Sequence, residues 1–523
     1  MAVNRRIAIA LSTMWASRAI TIVLGLLLVP VLFHRLSGSE LGTWLLLGQA
    51  GSIVGFMDFG MTNVLARLVA FASGDPDEPA STARDLQLGE LIASAKRLYR
   101  AAAAFALVVA LCGGWLFLSH VVPDADALAR ARTTWIILCF GFAIQLSGGL
   151  WSAVVSGLGL VATAAMIGTA FSIATLALMV ATVLLGGGMV SLAVVMLISS
   201  AVQRHATIVL LRRREPRLMA LRCGPKRTAV IALMVPALKY WLTEVGAVLL
   251  LRTDQLFIAS FQDPAQIPAY YAAYSLIYNL ALISMNIGDA SFVYVSKLWR
   301  EHDPRTVHGL VIRNARIGLG VMVSGVAVMA SIGDAVITVW LGPGHFVGWP
   351  VLLTFCAMLV LFVQQSLLLG FSRATENESY APCYLLAGAL NIWITWMLAG
   401  RLGLLGIALG TLLAQILTTN WFIPRSGLRR LRIAWQAYVA EVLGPASLTF
   451  AVTYVVVFLA THSIPAEQSF ARVAVGSGTG LASVCVCFWT LIFDAAIRDH
   501  VRDEVRAFAV CAARWSRRMA RSA

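Results

Sequence analysis

Charged side chains are scarce in this sequence. Asp, Glu, Lys and Arg make up 12% of its 523 residues, whereas hydrophobic residues make up 59% and the mean hydropathy is +0.82. A soluble core of this size does not require so apolar a composition, which polytopic membrane proteins show as a rule. No segment between the apolar runs is as long as a soluble domain. The sequence therefore predicts an integral membrane protein and argues against an enzyme built on a large extramembrane loop, so we expect no catalytic residues.

Patterned cysteine and histidine residues are missing too. The eight cysteines stand singly apart from Cys485 and Cys487, whose i, i+2 spacing points them to different faces of a helix. The eight histidines show no metal-ligand spacing. These patterns argue against a metal site or a redox motif, and we expect neither a metal nor a cofactor.

The alternating pattern of a membrane β-barrel is also absent, so α-helices are the remaining structure that can span the bilayer. The N-terminal apolar stretch is too long for a secretory signal and lacks a small-residue cleavage site, so we expect it to be retained as the first span. The sequence predicts an all-α polytopic protein with about 14 transmembrane helices. The spans are predicted near residues 8–33, 41–70, 99–121, 133–156, 159–185, 187–211, 229–261, 268–296, 309–332, 349–371, 380–399, 402–423, 436–460 and 470–493.

The net charge of +15 suggests a nucleic-acid partner at first, but the basic residues are sorted by membrane side and form no single soluble patch. With the N-terminus inside, 31 of the 40 Lys and Arg residues lie on the predicted cytoplasmic side and only 5 in the outer segments. This asymmetry predicts that both termini are cytoplasmic. We therefore expect no nucleic acid among the partners.

Two basic clusters, at 212–227 and 424–432, follow spans six and twelve and divide the chain into groups of six, six and two spans. Each six-span half has an even number of spans, so we expect two six-helix lobes in the same orientation, related by a pseudo-two-fold axis along the membrane normal, with a cavity between them. The tail has arginines one helical turn apart, which favours an amphipathic helix on the inner leaflet over a disordered tail. The predicted domains are the N-lobe (1–228), the C-lobe (229–435), two extra spans (436–495) and a basic amphipathic cytoplasmic tail (496–523).

Ionisable residues well inside the predicted spans are confined to spans one, two, seven and eight. Each charge at the bilayer centre costs roughly 2.5–3.5 kcal/mol on insertion scales, so eight charges facing lipid independently would cost on the order of 20 kcal/mol. That sum exceeds the stability of a typical fold, and we expect the eight side chains to line one interior cavity. They are Arg18, Asp58, Arg67, Lys239, Glu244, Arg252, Asp254 and Asp289.

Four of these charges lie in one long apolar run, 229–261. On a continuous helix, Lys239, Glu244, Arg252 and Asp254 share a broad side of the helix. The alternative is that Lys239 snorkels to the cytoplasmic interface while Arg252 and Asp254 lie near the outer one, because the run is longer than a span needs.

Arg18 lies too deep in the first predicted span to snorkel easily, and its forked donors suit a phosphate group. Together with Arg252 and Lys239 it can hold a diphosphate. The alternative is a buried structural ion pair in which Asp58 or Glu244 neutralises Arg18. The same carboxylates can instead bind a coupling proton or sodium ion, and equal numbers of charges of either sign leave these hypotheses open.

Two weaker patterns concern helix packing. Gly406 and Gly410 form a small-residue motif in span twelve, which predicts a close helix contact. Polar residues such as Gln365 and Asn391 can bond sugar hydroxyls in a cavity, but the more common role of such residues is to hydrogen-bond neighbouring helices.

The stretch LLLVPVLFHRLSGSELGTWLLLGQAGSIVGFMDFGMTNVLARLVA resembles the first two spans of Wzx-type polysaccharide or O-antigen flippases, a family of the multidrug/oligosaccharidyl-lipid/polysaccharide (MOP) exporter superfamily. The features that carry the resemblance are an outer turn with a leucine-glycine pair, Leu41-Gly42, and a later aspartate followed by glycine, Asp58 and Gly60. The stretch LRTDQLFIASF, followed by a tyrosine-rich span start, is similar to the second half of the same family.

The resemblance implies a transporter of the bacterial inner membrane that moves a polyprenyl-diphosphate-linked oligosaccharide from the cytoplasmic to the periplasmic leaflet by alternating access. The implied partners are this lipid-linked oligosaccharide, membrane lipids, and the polymerase and chain-length regulator of polysaccharide synthesis. No cofactor is expected beyond a coupling H⁺ or Na⁺. The hypothesis assigns substrate binding to Arg18, Arg252, Lys239 and Arg67, and gating or ion coupling to Asp58, Glu244, Asp254 and Asp289.

Two other functions are alternatives to this one. A cation-coupled drug or metabolite antiporter of the same superfamily would favour a net acidic cavity, whereas this chain has arginine at depth. A membrane-embedded glycan polymerase or ligase would normally need a large outer loop with catalytic residues, and the sequence has none.

Overall fold

The structure is a computed structural model that describes residues 20, 24–73, 82–122, 124–221, 223–289, 295, 299, 304–375, 380–495, 498, 499 and 502. Within these residues all regular secondary structure is helical. Ten of the described helices are long and apolar enough to cross a membrane, and a shorter apolar helix, Leu24–Arg35, precedes them. The predicted all-α polytopic membrane fold is confirmed.

The described residues cluster into two compact units. The first unit comprises Met1–Leu276 and Ser379–Thr419, and the second comprises Ile277–Glu378 and Asn420–Ala523. The two lobes predicted from the sequence, with boundaries at residues 228 and 435, are the halves of a proposed internal repeat. They stay a prediction.

The first unit contains twelve of the described helices, of which α11 runs on into the second unit. The helices of this unit are α1 (Leu24–Arg35), α2 (Gly38–Gly55), α3 (Met61–Ser73), α4 (Thr82–Val121), α5 (Ala125–Gly157), α6 (Val161–Leu184), α7 (Met189–Arg214), α8 (Pro216–Ala220), α9 (Arg227–Leu251), α10 (Asp254–Phe261), α11 (Ile267–Asp289) and α14 (Ala381–Leu417).

The second unit contains the remaining helices. They are α12 (Pro304–Leu341), α13 (Trp349–Arg373), α15 (Thr419–Arg430), α16 (Trp435–Tyr438), α17 (Gly444–His462) and α18 (Ser469–Cys487), with π-helical turns at Val439–Leu443 and Phe488–Ile492.

Several helices differ from the predicted spans. The predicted second span, 41–70, is divided into α2 and α3 by a 3₁₀ turn, Phe56–Asp58, followed by Phe59 and Gly60 with positive φ angles of 53° and 72°. By contrast, α4 is longer than the predicted third span, 99–121, because it begins at Thr82. With 40 residues it is about 60 Å long, roughly twice the hydrocarbon thickness, so one end of α4 projects beyond the apolar layer.

Helix α14 is a hairpin. It combines the predicted spans eleven and twelve, and its direction changes at Gly403, whose φ of 58° and ψ of −135° are not helical. A Cβ at Gly406 would overlap the backbone of Leu398, and a Cβ at Gly410 would overlap Thr395. The two halves therefore pack backbone to backbone, and the predicted close contact at Gly406 and Gly410 is confirmed.

Small residues also bring α14 against α9. A Cβ at Gly246 would overlap the backbone of Tyr384, and one at Gly388 would overlap Leu249. Without a hydrophobic driving force between helices in lipid, such close backbone approach is a main source of association. This contact places residue 391 of α14 beside the end of α9.

In the second unit, α12, α17 and α18 pack together. Helix α12 bends at Ile332, where φ is −133° and ψ is 20°. Gly476 lies against Ile332, and Gly480 of the same helix lies against α12 and α17. Arg472 of α18 forms a two-pronged ion pair with Asp334 of α12, with N–O distances of 2.7 and 3.2 Å, which joins the two helices at this end.

Candidate functional site

The predicted span 229–261 is broken at the position of its charged residues. Helix α9 ends at Leu251, Arg252 has a φ of −124° and a ψ of 7°, and α10 starts at Asp254. The continuous helix assumed for this run is therefore wrong, and Arg252 and Asp254 leave the helical register of Glu244. A discontinuous helix at membrane depth is tolerated where it is buried in protein or lines a cavity, and transporters use such breaks for binding.

Asn391 of α14 satisfies the backbone groups that the break exposes. Its side-chain amide nitrogen lies 2.9 Å from the carbonyl oxygen of Leu249, 3.1 Å from that of Leu250 and 3.2 Å from the hydroxyl of Thr253. The asparagine is fully buried. Of the two roles weighed for this residue, the bond between neighbouring helices is the one that its contacts show.

Asp254 lies directly after the break, and its carboxylate is buried with 7% of the residue exposed. The Tyr270 hydroxyl donates to Oδ2 at 2.6 Å, and the Thr411 hydroxyl lies 3.1 Å from Oδ1. Among the described residues no Lys, Arg or His forms an ion pair with Asp254. A buried carboxylate without a cation is costly, and its two hydroxyl donors offset part of that cost.

The polar cluster around Asp254 extends to Asn391 and Thr395. The Oδ1 atom of Asn391 lies 3.1 Å from both the Thr395 and the Thr411 hydroxyls. Thr411 therefore faces two acceptors at 3.1 Å, the Asp254 carboxylate and Asn391 Oδ1, but a hydroxyl has one proton to donate. Thr395 can supply the donor to Asn391 Oδ1, so that Thr411 donates to Asp254 and each of the three acceptor oxygens has one hydroxyl donor.

Further polar groups lie buried next to this cluster in the chain. Gln255 follows Asp254, and its Oε1 has no hydrogen-bond partner within the described residues. Gln415 lies one turn beyond Thr411 on α14, is fully buried, and neither atom of its amide is paired there. Buried polar groups of this kind are normally satisfied by water or ions. Over the described part of the chain, no group of three or more His, Cys, Asp or Glu residues lies close enough to hold a metal ion.

Arg252 lies beside Asp254 in the break but in a different environment. Its residue surface is half-buried, and its backbone carbonyl accepts a hydrogen bond of 3.0 Å from the Gln49 side chain of α2. The guanidinium group makes no hydrogen bond or ion pair with any described residue, and it is close enough to Tyr271 to interact with it electrostatically. An unpaired, half-buried guanidinium is suited to an anionic ligand.

The break between α2 and α3 docks on α9. Asp58 is half-buried and accepts a hydrogen bond of 2.7 Å from the backbone N–H of Gly60, which closes the turn. A Cβ at Gly60 would overlap the carbonyl of Ala237, and the Phe59 ring lies 5.0 Å from that of Trp241. The aspartate–glycine pair that carries the resemblance thus has a structural role in the contact with α9.

The other predicted site residues are only partly described. Glu244 is half-buried on α9, and Arg67 is exposed on α3. Lys239 and Asp289 lie on α9 and at the end of α11, but their side chains are outside the described part of the structure, as is the whole of Arg18. Of the eight predicted residues, the structure therefore places Arg252 and Asp254 together in the break between α9 and α10. It places Asp58 in the turn that packs against α9.

The turns that were predicted to lie on the outer side meet. A Cβ at Gly42, near the start of α2, would overlap the carbonyl of Pro264, which lies between α10 and α11. Leu41 is buried beside it with 2% of its surface exposed. Position 42 of the leucine-glycine pair therefore requires glycine, because a larger residue would overlap the Pro264 carbonyl.

Sequence reasoning missed Tyr270 and Thr411 as the partners of Asp254. Threonine in an apolar span usually bonds the carbonyl four residues earlier, as Thr418 does at 2.6 Å. No short-range pattern distinguishes Thr411 from such residues, because its partner is 157 residues away in the chain.

The long apolar helices define a polytopic helical protein, and two of the predicted spans are broken at charged residues. The fold is similar to that of lipid II flippase MurJ in an inward closed conformation, with a TM-score of 0.70 and 12% identity over 92% of this chain and 99% of that chain.

The fold is also similar to that of a multidrug resistance MATE family transporter of the MOP superfamily in an inward-facing conformation, with a TM-score of 0.63 and 12% identity over 81% of this chain and 98% of that one. A MOP superfamily transporter from Pyrococcus furiosus Vc1 gives a TM-score of 0.56 and 13% identity over 82% of this chain and 96% of that one. No protein-family model and no curated protein matches the chain. The fold is that of MurJ and MATE transporters, and a specific Wzx-type identity is not confirmed.

Proposed function

We propose that this protein is a flippase that moves a polyprenyl-diphosphate-linked oligosaccharide from the cytoplasmic to the periplasmic leaflet, for the synthesis of a cell-surface polysaccharide. One observation carries the proposal: Arg252 and Asp254 have opposite charges and lie two residues apart in a helix break, yet they do not pair. Because each charge lacks a protein counterion among the described residues, the break offers an anion site and a cation site next to each other.

The anion site suits the diphosphate of a lipid-linked sugar. Arg252 offers a permanent charge and two-pronged donors, and a phosphate oxygen is the ligand that matches them. Arg18 and Lys239 are proposed to contribute further charge, and Arg67 is proposed to act on the substrate path. The similarity in fold to a lipid II flippase supports a lipid-linked substrate.

The cation site suits ion coupling. Asp254 with Tyr270, Thr411 and Asn391 provides a carboxylate and neutral oxygens within hydrogen-bond distance. We propose that a proton or Na⁺ binds there and that its binding and release bias the position of α14 against the break. Asp58, Glu244 and Asp289 are proposed to act in gating.

Alternating access requires that one side of the cavity closes while the other opens. The approach of Gly42 to Pro264 supports a closed state on the predicted outer side. In this proposal, the two turns separate when substrate leaves. The polysaccharide polymerase and chain-length regulator stay proposed partners, and the bacterial inner membrane stays the proposed location.

A liposome assay tests the proposal. Purified protein is reconstituted with a fluorescent polyprenyl-diphosphate-linked oligosaccharide, and translocation is measured for wild type, Arg18→Ala and Arg252→Ala. We expect at least a tenfold loss for each variant, because a charge-assisted contact contributes about 1.5–3 kcal/mol. Arg252→Lys should retain part of the rate, since it keeps the charge but loses the forked geometry.

Arg401→Ala is the matched control, because Arg401 is exposed in the same unit and outside the break. Equal rates for Arg252→Ala and wild type would contradict the proposal. In cells, deletion of the gene should cause lipid-linked oligosaccharide units to accumulate on the cytoplasmic leaflet. Their normal appearance on the periplasmic leaflet would contradict the flippase function.

A second candidate is a cation-coupled drug or metabolite antiporter. The similarity to MATE transporters and the unpaired carboxylate of Asp254 favour it. This function predicts export of organic cations that depends on Asp254 but not on Arg252, and the two variants therefore separate the two functions.

A further inference from the structure

A basic cavity lies in the first unit, away from the helix break. Its volume is about 450 Å³, and it lies between α4, α5 and the segment that follows α8. Three cationic side chains of α4, Lys96, Arg97 and Arg100, line it. Trp151, Met219 and Leu221 are among the residues that form its other walls. The cavity thus joins a cationic wall to an apolar one.

The three basic residues share one face of α4. Lys96 and Arg100 are four residues apart, Arg97 and Arg100 three, and residues at these spacings are neighbours on a helix surface. All three are exposed, and none forms a hydrogen bond or an ion pair with a described residue. Like charges at this spacing destabilise a helix, so an arrangement with no protein counterion favours an anionic ligand.

No Asp or Glu lines this cavity among the described residues. The nearest acidic residue of α4 on the same side, Glu90, is already neutralised by Lys226 at 2.6 Å. The cationic side chains therefore face no competing carboxylate, and an anion entering the cavity meets three positive charges.

The apolar wall is fixed to α4. The backbone N–H of Lys226 donates to the Ser94 hydroxyl at 3.0 Å, and the Glu90–Lys226 ion pair reinforces this attachment. A Cβ at Gly89 would overlap the sulfur of Cys223, so glycine allows the segment to lie directly on the helix. The cavity is thus built by tertiary contacts and is more than a row of surface charges.

The predicted third span places this cavity at the depth of lipid headgroups. The predicted third span begins at residue 99, so Lys96, Arg97 and Arg100 lie within one turn of its end, on the side where the sequence concentrates basic residues. Basic pockets between helices at this depth bind anionic lipid headgroups.

We infer that this cavity binds a phosphate-bearing anion, with the phosphate on Lys96, Arg97 and Arg100. The phosphate belongs either to the headgroup of an anionic lipid, whose chains would lie along the apolar wall, or to a soluble phosphate compound. This inference is independent of what the protein transports.

The test measures binding of two probes to the full-length protein. Phosphatidylglycerol in phosphatidylcholine nanodiscs is the lipid probe, and inorganic pyrophosphate added to protein in pure phosphatidylcholine nanodiscs is the soluble probe. Arg97→Gln/Arg100→Gln is compared with Arg212→Gln/Arg213→Gln. The control pair removes the same charge from exposed positions at the end of α7 that do not line the cavity.

We expect the cavity variant to bind phosphatidylglycerol about thirtyfold more weakly than wild type, and the control to stay within about twofold. If only the lipid probe shows this loss, the ligand is a headgroup; if pyrophosphate shows it as well, the cavity accepts phosphate in general. Equal loss in both variants, or no loss in the cavity variant, would overturn the inference. Should the double variant fold poorly, Lys96→Gln gives the same test with an expected loss of about fivefold.

Discussion

The cation site at the helix break leads to a quantitative prediction for Asp254→Asn. The substitution keeps the shape of the side chain and removes its charge, while Tyr270 and Thr411 stay in hydrogen-bond distance. A cation that binds only the folded protein stabilises it by about 2.7 kcal/mol at a concentration one hundred times its Kd. We expect the wild-type melting temperature to rise by several degrees with saturating Na⁺ at fixed pH, or with decreasing pH if the ion is a proton. Asp254→Asn should lose this entire rise.

The assay is thermal unfolding of purified protein in detergent, with choline replacing Na⁺ at constant ionic strength. Asp263→Asn is the matched control, because Asp263 is exposed and its carboxylate only accepts from the backbone N–H of Ala265 at 2.8 Å. Thr411→Val removes the hydroxyl that bridges two acceptors and should weaken ion binding by roughly tenfold to a hundredfold. An Asp254→Asn protein that keeps the wild-type response would refute the cation site, as would an equal loss in Asp263→Asn.

Three other substitutions test contacts of the two units. Gly42→Val should push the start of α2 away from the turn at Pro264, because a Cβ at residue 42 overlaps the Pro264 carbonyl. Deuterium exchange in the peptide that contains Pro264 should therefore rise. Unchanged exchange would argue against the contact. Arg472→Gln should destabilise the protein by about 1–3 kcal/mol in detergent unfolding, because it leaves Asp334 unpaired and mostly buried. Adding Asp334→Asn should recover part of this loss of stability. Strictly additive effects of the two substitutions would mean that the ion pair contributes nothing to stability. Asn391→Ala removes the amide donor of the Leu250 carbonyl, while the Leu249 carbonyl keeps the Thr253 hydroxyl at 3.0 Å. We expect a cost of about 1–3 kcal/mol, whereas a change below about 0.5 kcal/mol would show that water replaces the amide.

The class of fold could be predicted from sequence because it depends on local quantities. Apolar runs of spanning length specify helices whatever they contact, and small residues such as Gly406 and Gly410 predict close packing from their spacing alone. The position of Arg252 and Asp254 within a long apolar run was also visible in the sequence.

The arrangement of the site could not be predicted in the same way. The break after Leu251 is stabilised by Asn391, whose side chain donates to carbonyls 141 and 142 residues away in the chain. No local sequence pattern near Leu251 predicts the break. A helical wheel drawn through the run therefore placed Glu244, Arg252 and Asp254 on one continuous surface. The same applies to Asp58, whose carboxylate closes a turn onto Gly60, so that its predicted role in gating stays a prediction.

The donor that closes the break is made long after the break itself. Asn391 follows Thr253 by 138 residues, and at synthesis rates of about 5–20 residues per second the ribosome needs roughly 7–28 s to reach it. Until then, two carbonyls at the end of α9 lack this partner in an apolar medium. During biogenesis, this segment must therefore stay helical past residue 252, remain near water, or be shielded by the insertion machinery, and the native geometry of the site can form only after α14 has entered the membrane.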